Sequence, residues 1–158
     1  MKNLLVILIF LAVTGCGFKP MYKSDGKGIE LEKLYINFKG DMTYEVGEEL
    51  KNLLSTEQEN KDYSVTVAAK EEMIPVIINE NGTVSKYQID ITLYFVVTDN
   101  LGKVLIDSSA VGFSQYDVLV SEIENKDLKN QMLRSATSDA ASLMITKIQS
   151  KLSLNNDN

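Results

Sequence analysis

Hydrophobic and polar positions along this chain change period in a definite order. Leu4 to Val13 is an unbroken apolar run behind one charge, Lys2. Residues 17–28 (GFKPMYKSDGKG) carry no apolar period and hold glycines and a proline, the composition of a tether. From Ile29 to Phe38 the pattern favours a strand, with Leu34, Ile36 and Phe38 alternating against Lys33, Tyr35 and Asn37. Over Thr43–Leu54 the period turns helical. Val46, Leu50, Leu53 and Leu54 make one apolar stripe, and Asp41 or Thr43 can cap it.

Alternation then returns. Tyr63, Val65, Val67 and Ala69 alternate with Ser64, Thr66 and Ala68, and Met73–Ile78 is apolar throughout. Pro75 cannot donate to a ladder, so that segment is an edge or holds a bulge. Asn81-Gly82 signals a hairpin turn. The clearest strand follows, with Tyr87, Ile89, Ile91, Leu93, Phe95 and Val97 on one face and Gln88, Asp90, Thr92 and Tyr94 on the other. Asp99-Asn100-Leu101-Gly102 makes a second turn, and Lys103–Tyr116 returns as a strand, giving an antiparallel meander.

A long helix over Ser121–Leu152 closes the chain. Ser121-Glu122-Ile123-Glu124 fits a capping box. Leu128, Met132, Ala136, Ala140, Met144, Ile148 and Leu152 recur every fourth residue, with Leu133 and Leu143 widening the stripe; Ala136 and Ala140 permit close approach to a sheet. The expected class is α+β: one mostly antiparallel four-stranded sheet with two helices on one face, in the order β-α-β-β-β-α. Polar outward positions on the third strand (Gln88, Asp90, Thr92) leave the other sheet face wet or facing a partner.

The first run now acquires a meaning. A charged start, a short apolar stretch and small residues before a cysteine describe a secretory signal, and the run is shorter than the ~20 residues a membrane span needs. Val13-Thr14-Gly15-Cys16 resembles the lipobox of bacterial lipoproteins, which implies that Cys16 is acylated and that its lipid holds the chain to the outer membrane. The expected organisation is a removed signal (1–15), a lipidated cysteine and tether (16–28), one domain (29–152) and a flexible tail (153–158). Cys16 is the only cysteine, so no disulfide can form within the chain. Full-length net charge is −6; with Lys2 removed, fifteen cations face 22 carboxylates, a net of −7. An acidic balance argues against nucleic-acid binding and against electrostatic docking to anionic lipid.

Chemistry is chiefly absent. The sequence has no histidine, which removes the commonest general base and zinc ligand, and no nucleotide-binding, zinc or EF-hand spacing appears. Ser24-Asp25-Gly26-Lys27 matches S-x-x-K without its S-D-N and K-T-G partners, and reads as chance. Glu48-Glu49 and Glu71-Glu72 are neighbours that do not face one site. Asn81-Gly82-Thr83 is a formal glycosylation sequon that the turn already explains. No cofactor, metal or catalytic residue is expected; the protein reads as a binding or assembly component, not an enzyme.

Several segments together carry a family resemblance. Cys16-Gly17-Phe18-Lys19-Pro20-Met21-Tyr22 resembles the CGFRPLY-type start of LptE lipoproteins, which assemble lipopolysaccharide (LPS) at Gram-negative outer membranes. The likeness resumes at Val84-Ser85-Lys86-Tyr87-Gln88-Ile89, Leu101-Gly102-Lys103-Val104-Leu105 and Phe113-Ser114-Gln115-Tyr116-Asp117-Val118, and closes on Ile148-Gln149-Ser150-Lys151-Leu152. Residues 121–131 (SEIENKDLKNQ) depart from it, being polar where relatives are often Ala-rich. The resemblance implies a plug and assembly partner for the outer-membrane barrel LptD, on the periplasmic side or within the barrel lumen, and contact with LPS through basic residues. Lys86, Lys103 and Lys70 are the candidates because they lie on or near the sheet. The competing class is an auxiliary subunit of another envelope transport or secretion complex.

Overall fold

The computed structural model of the chain describes residues 33–54 and 62–156, with side chains followed to Ser153. The signal, Cys16, the tether and the first part of the Ile29–Phe38 strand lie outside the described residues. The elements run β1 (Leu34–Phe38), α1 (Tyr44–Leu54), β2 (Tyr63–Ile78), β3 (Val84–Asp99), β4 (Val104–Asp117) and α2 (Glu122–Asn156). The order is the expected β-α-β-β-β-α, in an α+β fold. The sheet order is β1-β2-β3-β4. β1 runs parallel to β2 across the α1 connection, and the remaining pairs are antiparallel.

Period-2 patterning decides which face is covered. Val65 and Val67, Ile89 to Val97 at every second residue, and Ile106 and Ala110 point to one side and are buried. Val46, Leu50 and Leu54 of α1 join the same core, as does the long stripe of α2. Both helices therefore lie on one face. Leu143 departs from the expected stripe and is 48% exposed. At 100° per residue it stands on the opposite flank of Met144 from Ile145. The buried face widens instead through Leu133, Thr137, Ala141 and Ile145. Thr137 is the one buried polar side chain among the described residues, and its hydroxyl donates to Leu133 O at 2.7 Å.

α2 sits unusually close to β4. A Cβ on Gly112 would run into the backbone of Ala136 and Ala140. Alanines on the helix and a glycine on the strand thus remove side chains from both sides of the contact. Ser114 Oγ donates to Met132 O at 2.7 Å and Lys147 Nζ to Ser109 O at 2.6 Å, fixing the helix along the strand.

Both hairpins close by the same device. Asn79 N–H donates to Thr83 O (2.8 Å) and Gly82 N–H to Asn79 O (2.9 Å); Asp99 N–H donates to Lys103 O and Gly102 N–H to Asp99 O, both 3.0 Å. The glycines carry φ of +81° and +79°, and no described non-glycine residue has positive φ. These are three-residue loops ending in a left-handed glycine, not two-residue turns with two left-handed positions. Pro75 is both things the sequence allowed. β2 loses register between Pro75 and Ile78, and beyond Val67 no strand among the described residues flanks it on the β1 side. Sixteen-residue β2 and β3 make the sheet roughly 50 Å long at ~3.3 Å per residue.

Candidate docking surface

Two surfaces remain after the core is built: the sheet face away from the helices, and one end of the sheet. On the open face the even-numbered residues of β3 project. Gln115 Nε2 donates to Gln88 Oε1 and Gln88 Nε2 to Asp90 Oδ1, both at 2.8 Å, forming an amide–carboxylate track across two strands. Tyr94, Val111 and Phe113 stand exposed on the same face, the last at 61%. The polar outward positions of the third strand are thus part of a mixed surface, held by their own hydrogen bonds.

The end of the sheet formed by the Asn79–Thr83 turn is different. Met73, Ile74, Val76, Ile77 and Ile78 are all exposed, although no position in that run is polar. The reason is local. The pleat sends alternate side chains to both faces, and at this end neither face is covered. The β4–α2 junction adds to it: Val118 N–H donates to Ser85 O at 2.9 Å and ties the junction to the hairpin. Leu119, the fully exposed Val120 and Ile123 (77% exposed) follow at once. Ser121 caps α2, its carbonyl accepting from Asn125 N–H at 2.9 Å and its hydroxyl from Glu124 N–H at 3.5 Å. A soluble surface rarely gathers so much exposed apolar area without a partner to cover it.

Just inside this end, Tyr87 and Tyr116 stack with ring centroids 5.8 Å apart, and the Tyr116 hydroxyl donates to Met73 Sδ at 3.6 Å. Burial, and then the neighbouring Tyr87, raise the Tyr116 hydroxyl above its ordinary pKa. This pair is the rigid root of the apolar hairpin.

The three lysines named from sequence do not form one site. Lys70 and Lys86 share the open face, but Lys70 lies beside Thr92, six residues along β3 from Lys86, or roughly 20 Å. Lys70 Nζ is 3.0 Å from Glu72, whose hydrogen bond and charge raise the lysine pKa. Lys86 Nζ is 3.3 Å from Asp117. Lys103 follows the turn at the opposite end of the sheet, where its backbone N–H donates to Asp99 Oδ1 at 2.9 Å. Sequence reasoning missed Ile77, Ile78, Val120 and Ile123. For Ile77 and Ile78 the signal was an apolar run without alternation beside an Asn-Gly turn. Among the described residues no cluster of His, Cys, Asp or Glu could hold a metal, and no helix is long and apolar enough to cross a membrane.

With this geometry in place, comparison with known proteins is informative. A family model described as LptE: Lipopolysaccharide-assembly matches residues 31–148. No curated protein matches by sequence. Three solved lipoproteins share the fold. One from Caulobacter crescentus superposes with a TM-score of 0.63 at 12% identity, covering 79% of this chain and 93% of that one. The uncharacterized lipoprotein B of Nitrosomonas europaea gives 0.58 at 15%, covering 76% and 83%. The rare lipoprotein B of Shewanella oneidensis gives 0.51 at 15%, covering 79% and 98%. At these identities the likeness is one of fold.

Proposed function

The chain belongs to the LptE lipopolysaccharide-assembly family, and from that membership we propose that it is a lipid-anchored, non-catalytic partner of the outer-membrane barrel LptD. In this reading the acyl chains on Cys16 hold it to the outer membrane. The folded domain occupies the barrel lumen and keeps the barrel in its assembled, LPS-delivering state. The observation that carries the reading is the exposed apolar end, Met73–Ile78 with Leu119, Val120 and Ile123, on a domain whose open sheet face is mixed, with a self-bonded polar track beside Tyr94, Val111 and Phe113. A plug needs a compact body with a wet face and one place where apolar surface is covered by its partner. The absence of histidine fits a role without acid–base chemistry.

Contact with LPS belongs to the same proposal. Phosphates on lipid A favour Lys and Arg donors, while the chain as a whole is acidic, so attraction must be local. Lys86 is the best placed of the three lysines. It stands on β3 near the apolar end, and its partner Asp117 is largely exposed, so the pair exchanges readily. Acyl chains would lie against Ile77 and Ile78 while the phosphate meets Lys86. Lys70 and Lys103 stand too far along the sheet to join that contact.

Depletion in the source bacterium tests the role. Assembled LptD and surface LPS should fall together, and the tagged protein should co-purify with the barrel in mild detergent. Normal levels of both after depletion would overturn the proposal.

A further inference from the structure

The turn at the apolar end holds reactive groups that a docking role does not use. Asn81-Gly82 is the only Asn-Gly pair in the sequence. In the structure two donors from Thr83 converge on Asn81 Oδ1: the backbone N–H at 3.0 Å and the hydroxyl at 2.7 Å. The Thr83 hydroxyl oxygen in turn accepts from Asn79 Nδ2 at 3.0 Å. The three side chains form a relay that draws electron density out of the Asn81 carboxamide. Donors aimed at a carbonyl oxygen stabilise the negative charge that develops there when the carbonyl carbon is attacked. The nucleophile, four bonds from Cγ along the chain and so placed to close a five-membered ring, is the backbone nitrogen of Gly82, with no side chain to shield it.

We propose that Asn81 is a site of self-modification, converted to aspartate and isoaspartate by its own turn. The Gly82 amide loses its proton to hydroxide and releases its bond to Asn79 O (2.9 Å). Its nitrogen attacks Asn81 Cγ, and the charge on Oδ1 is held by Thr83. The Cγ–Nδ2 bond breaks, ammonia leaves with a proton from water, and a succinimide closes. Water then opens the ring at either carbonyl, giving aspartate or isoaspartate. Both products add one negative charge at the turn. Isoaspartate also inserts a methylene into the backbone, three residues before Val84, whose pairing with Ile78 opens the ladder. The new charge falls three residues from Ile78, 60% exposed, in the turn that closes the apolar end, and so works against burial of that end. The second hairpin closes with the same backbone bonds but places Leu101 before its glycine, and lacks the carboxamide.

The full chain, aged in mildly alkaline buffer, should be followed by peptide mapping for the amide-to-acid mass gain and by isoaspartyl-methyltransferase labelling. Conversion at Asn81 should run several-fold faster in the folded protein than in the same chain held unfolded in urea. Thr83→Ala, which keeps only the backbone donor, should lose most of the acceleration, and Thr83→Ser, which keeps the hydroxyl, should retain most of it. A folded protein that converts no faster than the unfolded chain would overturn the proposal. So would a folded Thr83→Ala that converts as fast as wild type. If Thr83→Ala fails to fold, the folded-against-unfolded comparison of wild type still decides.

Discussion

At the scale of single residues, Gly112 shows how a contact can be set by what is missing. It sits in β4 with ordinary backbone, so glycine is not there for φ; it is there because α2 lies against it. A methyl group would meet the Ala136 carbonyl oxygen and the Ala140 nitrogen, which are backbone atoms that no side-chain rotation can move. Gly112→Ala must therefore push the helix off the strand, stretching the Ser114–Met132 bond and loosening Ala136 and Ala140 in the core. Overpacking of this kind costs about 1–3 kcal/mol. The expected outcome is a clear drop in thermal midpoint that adding Ala140→Gly does not rescue, since the clash is with backbone. An unchanged midpoint for Gly112→Ala would show that the helix stands further away. The alanine half of this contact was legible in the sequence, because Ala136 and Ala140 fall on a stripe of larger residues. The glycine half was not: in a strand it reads only as a weak position, and which helix residue lies opposite depends on tertiary packing.

At the scale of elements, periodicity was legible wherever exactly one face is covered. β3 alternates because helices lie on one side and polar groups on the other, and α2 shows its stripe because it has one dry flank. Pattern fails where coverage departs from that rule. Leu143 follows the stripe in sequence yet turns to solvent, because α2 is rolled toward Leu133, Ala141 and Ile145. Met73–Ile78 is the sharper case. An unbroken apolar run is ordinarily the pattern of a strand buried on both faces; here every large side chain of the run is exposed. That contrast yields a prediction. Ile77→Ser with Ile78→Ser removes side chains that the isolated domain buries only about half, at 46% and 60% exposure, so its unfolding free energy should fall by no more than about 2 kcal/mol, well short of two core truncations. Recovery of the barrel in a detergent pull-down should fall sharply. Full recovery with unchanged stability would mean that this end is not the docking surface, and a large loss of stability would mean that the hairpin belongs to the core. The candidate lysines were the least legible part of the site. Sequence places a lysine on a strand, and alternation alone puts Glu72 beside Lys70, but only the sheet register reveals that Lys86 faces Asp117 and that Lys103 stands at the other end.

At the scale of the whole molecule, the two ends of the sheet differ in kind. The first described strand begins at Leu34, opposite Tyr63 and hence beside Asp99, at the end far from the apolar hairpin. The chain thus joins the domain roughly 50 Å from its apolar end, the length of the long strands. In the proposed reading the tether enters the domain at one end and the partner docks at the other, and the described core, within residues 34–152, lies between them. The proposed lipid on Cys16 is attached 18 residues before Leu34, the first residue of the described core. Cys16→Ser should therefore leave the thermal unfolding of the purified domain unchanged while abolishing acylation. The two forms should separate on phospholipid vesicles. Each buried CH₂ contributes about 0.8 kcal/mol, so acylated protein should float with the vesicles in density gradients. The unacylated variant carries a net acidic charge, and no described helix can span a bilayer, so it should stay in solution. Flotation of the variant to the same extent as the acylated protein would transfer the membrane role from Cys16 to the apolar hairpin, and the separation of anchor from docking end would fail with it.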